Sequence, residues 1–100
     1  MKNFRSYELA VAFYREAKGL SLPAHLRDQL LRAASSIALN LREGAARPTR
    51  VDQRRFYSIA YASSKETQAV LDLEIDPKHP IIKLADNLAA HLYRLRQAAI

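Results

Sequence analysis

Ile81, Ala85, Leu88, Leu92, Leu95 and Ala99 recur at spacings of 4, 3, 4, 3 and 4. A helix of 3.6 residues per turn brings such positions onto one side. Six in succession constrain the segment to a helix packed lengthwise against other helices. Pro80 fits the first turn, where its missing N–H leaves no bond unmade. The rhythm returns upstream. Tyr7, Val11, Tyr14 and Ala17, widened by Leu9, Ala10 and Phe13, predict a helix from about Ser6 to Lys18, closed by Gly19. Ser21 and Pro23 supply a cap residue and an early-turn proline for a second helix. It runs to about Glu43, and Gly44 is placed to end it in a left-handed conformation. Thr49-Arg50-Val51-Asp52 resembles a capping box, with Asp in place of the usual Glu, and opens a third helix that reaches about Leu73. Three short connections between four long helices force antiparallel neighbours. The expected fold is all-α, an antiparallel up-down-up-down four-helix bundle filling residues 1–100 as one domain.

Composition narrows the chemistry. The chain has no cysteine, which removes disulfides and thiolate metal sites. Its first twenty residues carry Arg5, Glu8, Arg15 and Glu16, unlike the apolar core of a signal peptide, and nowhere is there an uncharged run long enough to span a bilayer. A cytoplasmic protein with no membrane association is expected. His25, His79 and His91 lack metal-ligand spacing and read as surface residues, while Gly19 and Gly44 are isolated rather than parts of a phosphate-binding loop. The expectation is a non-enzyme with no catalytic residues, no metal, no cofactor and no small-molecule substrate.

The second helix poses a question. Leu26, Leu30, Ala33 and Ile37 form its main seam, and the same spacing then arrives at Asn40 and Gly44. The third helix does likewise along Phe56, Ile59/Ala60, Ser63, Thr67 and Val70. Buried amides and carboxylates cost several kcal/mol unless hydrogen-bonded. We therefore expect a polar network between these helices built from Arg32, Ser36, Asn40, Glu43, Ser63, Ser64 and Glu66, with Arg42 as a further candidate. Such a network sets register and pairing more than stability. The same residues also fit a binding surface, and Glu43 with Glu66 would fit acid–base chemistry if a pocket held both. A second stripe runs beside each seam: Leu31, Ala34, Ala38, Leu41 and Ala45, then Tyr57, Tyr61, Ser64, Gln68 and Leu71. An apolar arc wider than one bundle face points to self-association, with Leu31, Ala38, Tyr57 and Tyr61 as interface candidates, although a well-covered core gives the same pattern.

The net charge is +6, and half of that excess lies in one short stretch. Arg42, Arg47, Arg50, Arg54 and Arg55 face only Glu43 and Asp52 around the turn between the second and third helices. A turn with helix ends and arginine forks suits phosphate, so RNA or DNA is the expected partner. Phe56 reads as core, whereas Tyr57 divides between core, interface and a base-stacking contact. A solvated turn laced with ion pairs, or a scaffold for an acidic protein, accounts for the same residues.

The segments QLLRAASSIALNLREGAARPT and RRFYSIAYASSKETQAVLDL, with the aromatic opening FRSYELAVAFYREAKGL, resemble the 23S rRNA-intervening-sequence proteins. That resemblance covers nearly the whole chain and rests on an Asn-x-x-Glu-Gly element followed by an Ala-x-x-Ser…Glu segment. It implies a four-helix bundle assembling as a homopentamer, with relatives among the accessory variability proteins of diversity-generating retroelements, which are basic and associate with nucleic acid. Arg32, Ser36, Asn40, Glu43, Gly44, Ser63 and Glu66 match its signature positions. Arg42 and Pro48 depart from it, adding charge and altering the loop.

Overall fold

Tyr7 lies beneath the Arg42 guanidinium, whereas Tyr14, two turns further along its helix, borders a depression with Asp28 and Leu31. Positions thus ascend on one helix as they descend on the next. The same inversion holds where Gln29 meets Glu66 and Ser36 meets Ser63, and again where Tyr61 meets Tyr93 and Gln68 meets Asp86. The computed structural model, which describes residues 4–98, is therefore an antiparallel bundle of α1 (Arg5–Lys18), α2 (Ala24–Ala45), α3 (Arg50–Glu74) and α4 (Pro80–Ala98). α2 packs on α1 and α3, and α4 closes the ring against α3 and α1. The body measures 40 × 23 × 19 Å. No described helix is long and apolar enough to cross a membrane.

The core is one cluster contributed by all four helices, including Phe13, Leu30, Ile37, Leu41, Leu71, Ile81, Leu88 and Leu92. Burying each of these side chains stabilises the fold by about 1.5–3 kcal/mol. On α4 the expected seam holds: Ile81, Ala85, Leu88 and Leu92 are buried and Leu95 is partly so, while Ala99 lies outside the described residues.

On the middle helices the seam runs differently from the sequence reading. In α2 the core line is Leu30, Ala34, Ile37, Leu41 and Gly44; in α3 it is Tyr57, Ala60, Ser64, Thr67 and Leu71. Both lines combine residues of the two stripes. Every helix of the ring touches two neighbours, so part of the apolar excess on the middle helices that was read as self-association is covered within the chain. Tyr57, an interface candidate, is 6% exposed and belongs to the core. Its burial raises the phenol pKa and keeps the group neutral. Phe56, expected in the core, is only half-buried.

The helix ends also correct the reading. Pro23, not Ser21, occupies the N-cap position of α2 and has no side-chain cap, though its carbonyl accepts from Leu26 and Arg27 N–H. The Thr49 hydroxyl accepts from Asp52 N–H at 3.2 Å as the capping pattern requires. α4 has a cap the sequence reading passed over: His79 Nδ1 accepts from Ile81 N–H at 3.1 Å. Gly19 closes α1 in a right-handed conformation.

Gly44 is not a left-handed terminator, because α2 continues through it to Ala45. Its role is proximity. A Cβ built there would sit 2.7 Å from Tyr57 Cε1, 2.9 Å from Tyr57 Cδ1 and 3.0 Å from Phe56 Cβ. Gly44→Ala gains roughly 1 kcal/mol of helix propensity but overpacks a full junction at a cost of about 1–3 kcal/mol. A net loss of stability is expected by urea unfolding, partly recovered when Tyr57 is also shortened to Leu. Unchanged or increased stability of the single variant would show that the junction has slack.

A candidate nucleic-acid interface

The five arginines of the α2–α3 turn are all exposed, and they differ in what holds them. Arg42 points to the α1 side, its guanidinium 5.1 Å from the centre of the Tyr7 ring. Arg47 is the most constrained. It donates to Glu43 Oε2 at 3.1 Å, covers the Phe56 ring at 4.8 Å, and accepts at its carbonyl from Gln53 Nε2 at 2.9 Å. Half-buried Phe56 is thus roofed by a cation. Arg50 borders a depression with Gln53, Tyr57, Leu95 and Ala98, which brings it to the last turn of α4. Arg50, Arg54 and Arg55 form no ion pair among the described residues.

The antiparallel fold gathers more charge at this end than the hairpin alone supplies. Arg5 opens α1, and Arg94 and Arg96 lie in the last turns of α4. With the hairpin, that makes Arg5, Arg42, Arg47, Arg50, Arg54, Arg55, Arg94 and Arg96 against Glu8, Glu43 and Asp52. The remaining described charges are Arg15, Lys18, Arg27, Arg32, Lys65, Lys78 and Lys83 against Glu16, Asp28, Glu66, Asp72, Glu74, Asp76 and Asp86. They cancel. The excess positive charge of the described residues therefore sits at one end. His91 registers this field: burial first, then the Arg94 and Arg5 guanidiniums, hold its pKa below the ordinary imidazole value.

The polar groups between α2 and α3 form a smaller set than the one predicted. Ser63 Oγ donates to Ser36 Oγ at 2.9 Å across the helices. Asn40 Nδ2 donates to Ser36 Oγ at 3.1 Å and to the Ser36 carbonyl at 2.8 Å. Asn40 is half-buried on the flank of α2 and bonds within its own helix, so the serines make the interhelical tie. Arg32 and Glu66 border the same groove with Gln29, Ala33, Ser36 and Ser63, and Glu66 accepts from Gln29 Nε2 at 3.4 Å. Glu43 is exposed and turned to Arg47. Ser64 is on the core side, donating to the Tyr61 carbonyl at 2.6 Å. The one-residue displacement of the seam explains this division. It leaves the carboxylates at 43 and 66 in water, where no desolvation is incurred, and takes Ser64 inward, where its own helix satisfies it. Glu43 and Glu66 share no pocket, so the acid–base arrangement is not assembled.

The other interface candidates occupy separate flanks. Leu31 is half-buried beside Tyr14 of α1, Ala38 lies two turns along on the same stripe, and Tyr61 is half-buried beside Tyr93 of α4. Exposed apolar side chains are found instead at Leu39 and Ile59, 68% and 43% exposed. No cluster of three or more metal-binding side chains occurs among the described residues.

One cluster escaped the sequence reading. Tyr61 and Tyr93 face each other at 5.8 Å, and the Arg96 guanidinium lies 4.7 Å from the first ring and 5.5 Å from the second. Tyr93 and Arg96 are one turn apart on α4, a spacing that marks a shared face. What the sequence did not reveal was that Tyr61 would be opposite.

Comparison with known proteins agrees with the fold. A family model described as 23S rRNA-intervening sequence protein matches residues 4–98, the span of the four helices. No curated protein and no solved structure matches the chain. The match extends from the start of α1 to the end of α4, and the chain belongs to the 23S rRNA-intervening sequence protein family.

Proposed function

We propose that this chain is a non-enzymatic, cytoplasmic nucleic-acid-binding protein that works as a homo-oligomer, a pentamer by its family resemblance. Its arginine-bearing end holds the phosphates of RNA or DNA. The observation that carries this reading is the segregation of charge, with eight arginines facing three carboxylates at one end and a balanced remainder. Arginines without acid partners beside helix ends are suited to phosphate oxygens, and binding of this kind releases counterions. Replacing Arg50, Arg54 and Arg55 with Gln is expected to weaken binding to a labelled RNA or DNA. It should also flatten the log K against log salt slope by roughly 0.7–0.9 for each phosphate that is no longer neutralised. Arg47→Gln has the smaller effect, since Glu43 already offsets that charge. Salt-independent affinity, or an unchanged slope in the triple variant, would reject the patch.

A second reading is an acidic protein partner, favoured by Val51, which is 79% exposed among Arg50, Arg54 and Arg55. An apolar side chain there suits a protein surface better than a phosphate backbone. Val51→Ser separates the two: it leaves nucleic-acid affinity unchanged under the first reading, and weakens capture of an acidic polypeptide under the second.

The α2–α3 flank supports assembly. Small side chains at Ala33, Ser36 and Ser63 line a groove, and exposed Ile59 and Leu39 lie on the same pair of helices. Sedimentation equilibrium is expected to give a multiple of the 11.3 kDa chain mass. Asn40→Leu should keep the helicity and shift the distribution of assembly states. A monomer at micromolar concentration would remove the oligomer from the proposal.

His91 provides an internal gauge of occupancy. A bound polyanion neutralises part of the field from Arg94 and Arg5, so the imidazole pKa should rise towards its ordinary value, while the burial contribution persists. The His91 ring-proton titration, recorded by NMR with and without an oligonucleotide, checks this; coincident curves would place the ligand elsewhere.

A further inference from the structure

The Tyr61–Tyr93–Arg96 cluster lies in the groove between α3 and α4, and it has two properties together. The first is an accessible aromatic side chain: Tyr93 is 45% exposed. The second is cationic surroundings. Lys65 and Arg94 line the groove beside both tyrosines, and neither has an ion pair among the described residues. Gln68 donates through Nε2 to Asp86 Oδ1 at 2.8 Å. Asp86, the carboxylate that lines the groove, is the group engaged by this bond.

These features select an occupant. Arginine and lysine alone accept any polyanion, and an acidic peptide would leave the rings unused. A paired base in a duplex has both faces stacked and its amines bonded. An unpaired base offers a free face for the Tyr93 ring, while its flanking phosphates suit Lys65 and Arg94. The groove is also continuous with the basic end: Arg54, Tyr61, Lys65 and Gln68 follow one another at helical spacing on α3, and Arg50 meets the last turn of α4.

We infer that the α3–α4 groove around Tyr61, Tyr93 and Arg96 is a base-stacking site for an unpaired segment of nucleic acid whose flanking phosphates run onto the arginine end. This rests on the nucleic-acid reading above and adds to it a preference for single strands.

The test uses the full chain with two fluorescein-labelled probes at one salt concentration, an oligo-dT of twenty nucleotides and a mixed-sequence duplex of the same length. Tyr93→Leu keeps apolar bulk and removes the π face; Tyr93→Phe keeps both. Tyr93→Leu should weaken oligo-dT binding by roughly five-fold to a hundred-fold, with duplex affinity unchanged and Tyr93→Phe close to wild type. The Arg50, Arg54 and Arg55 to Gln variant should weaken both probes. If Tyr93→Leu leaves oligo-dT binding intact while the arginine variant lowers it, the stacking site is wrong and the nucleic-acid reading stands. If the unmodified protein binds neither probe, both fall. Equal loss on both probes in Tyr93→Leu also overturns single-strand selectivity. A measurement independent of any substitution is the Tyr93 ring-proton shift on adding oligo-dT: stacking moves it upfield, and a stationary resonance refutes the site.

Discussion

Close approach of α2 and α3 is the constraint on which the other features depend. Along their shared boundary the chain places Ala34, Gly44, Ala60 and Ser64 on the core lines, with Ala33, Ser36 and Ser63 at the flank. Small side chains let the two backbones come near enough for a serine on one helix to bond a serine on the other. That proximity leaves no room for a Cβ at Gly44, packs Tyr57 into the core, and fixes where the turn emerges. The arginines on the turn and on the first turns of α3 inherit their positions from it.

Polar groups in this interior are handled locally. Ser64 and Thr67 are buried on the core line of α3, and each hydroxyl donates to the carbonyl three residues before it, at 2.6 and 2.7 Å. They need no partner from another helix, so they keep the helices close without a buried charge. A net hydrogen bond contributes only about 0.5–1.5 kcal/mol. The Ser36–Ser63 bond is therefore better understood as fixing register than as a large source of stability.

Helix number, helix order and the α4 seam were legible from spacing, because a 4-3 rhythm has few competing explanations. The middle helices were harder. Both carry two apolar stripes, and a sequence does not say how two adjacent stripes divide between two neighbouring helices. With core lines that mix both stripes, Glu43 and Glu66 stay exposed, Ser64 turns to the core, and Asn40 keeps its place in the network by bonding Ser36 of its own helix. Gly44 was assigned to a helix end on residue type alone, whereas its reason is a ring on another helix, 13 positions away. The hairpin arginines could be read as a run. The contributions of Arg5, Arg94 and Arg96 depend on antiparallel geometry that places the start of α1 and the end of α4 beside that run.

Charge segregation along a 40 Å body has a further consequence. The screening length in physiological salt is about 8 Å, so the two ends are electrically independent and a polyanion senses one polarity only. In the proposed assembly, chains aligned with the axis of a ring would bring their cationic ends into one collar whose members repel. An anion that discharged such a collar would tighten the ring, and ring closure would strengthen the hold on that anion by linkage.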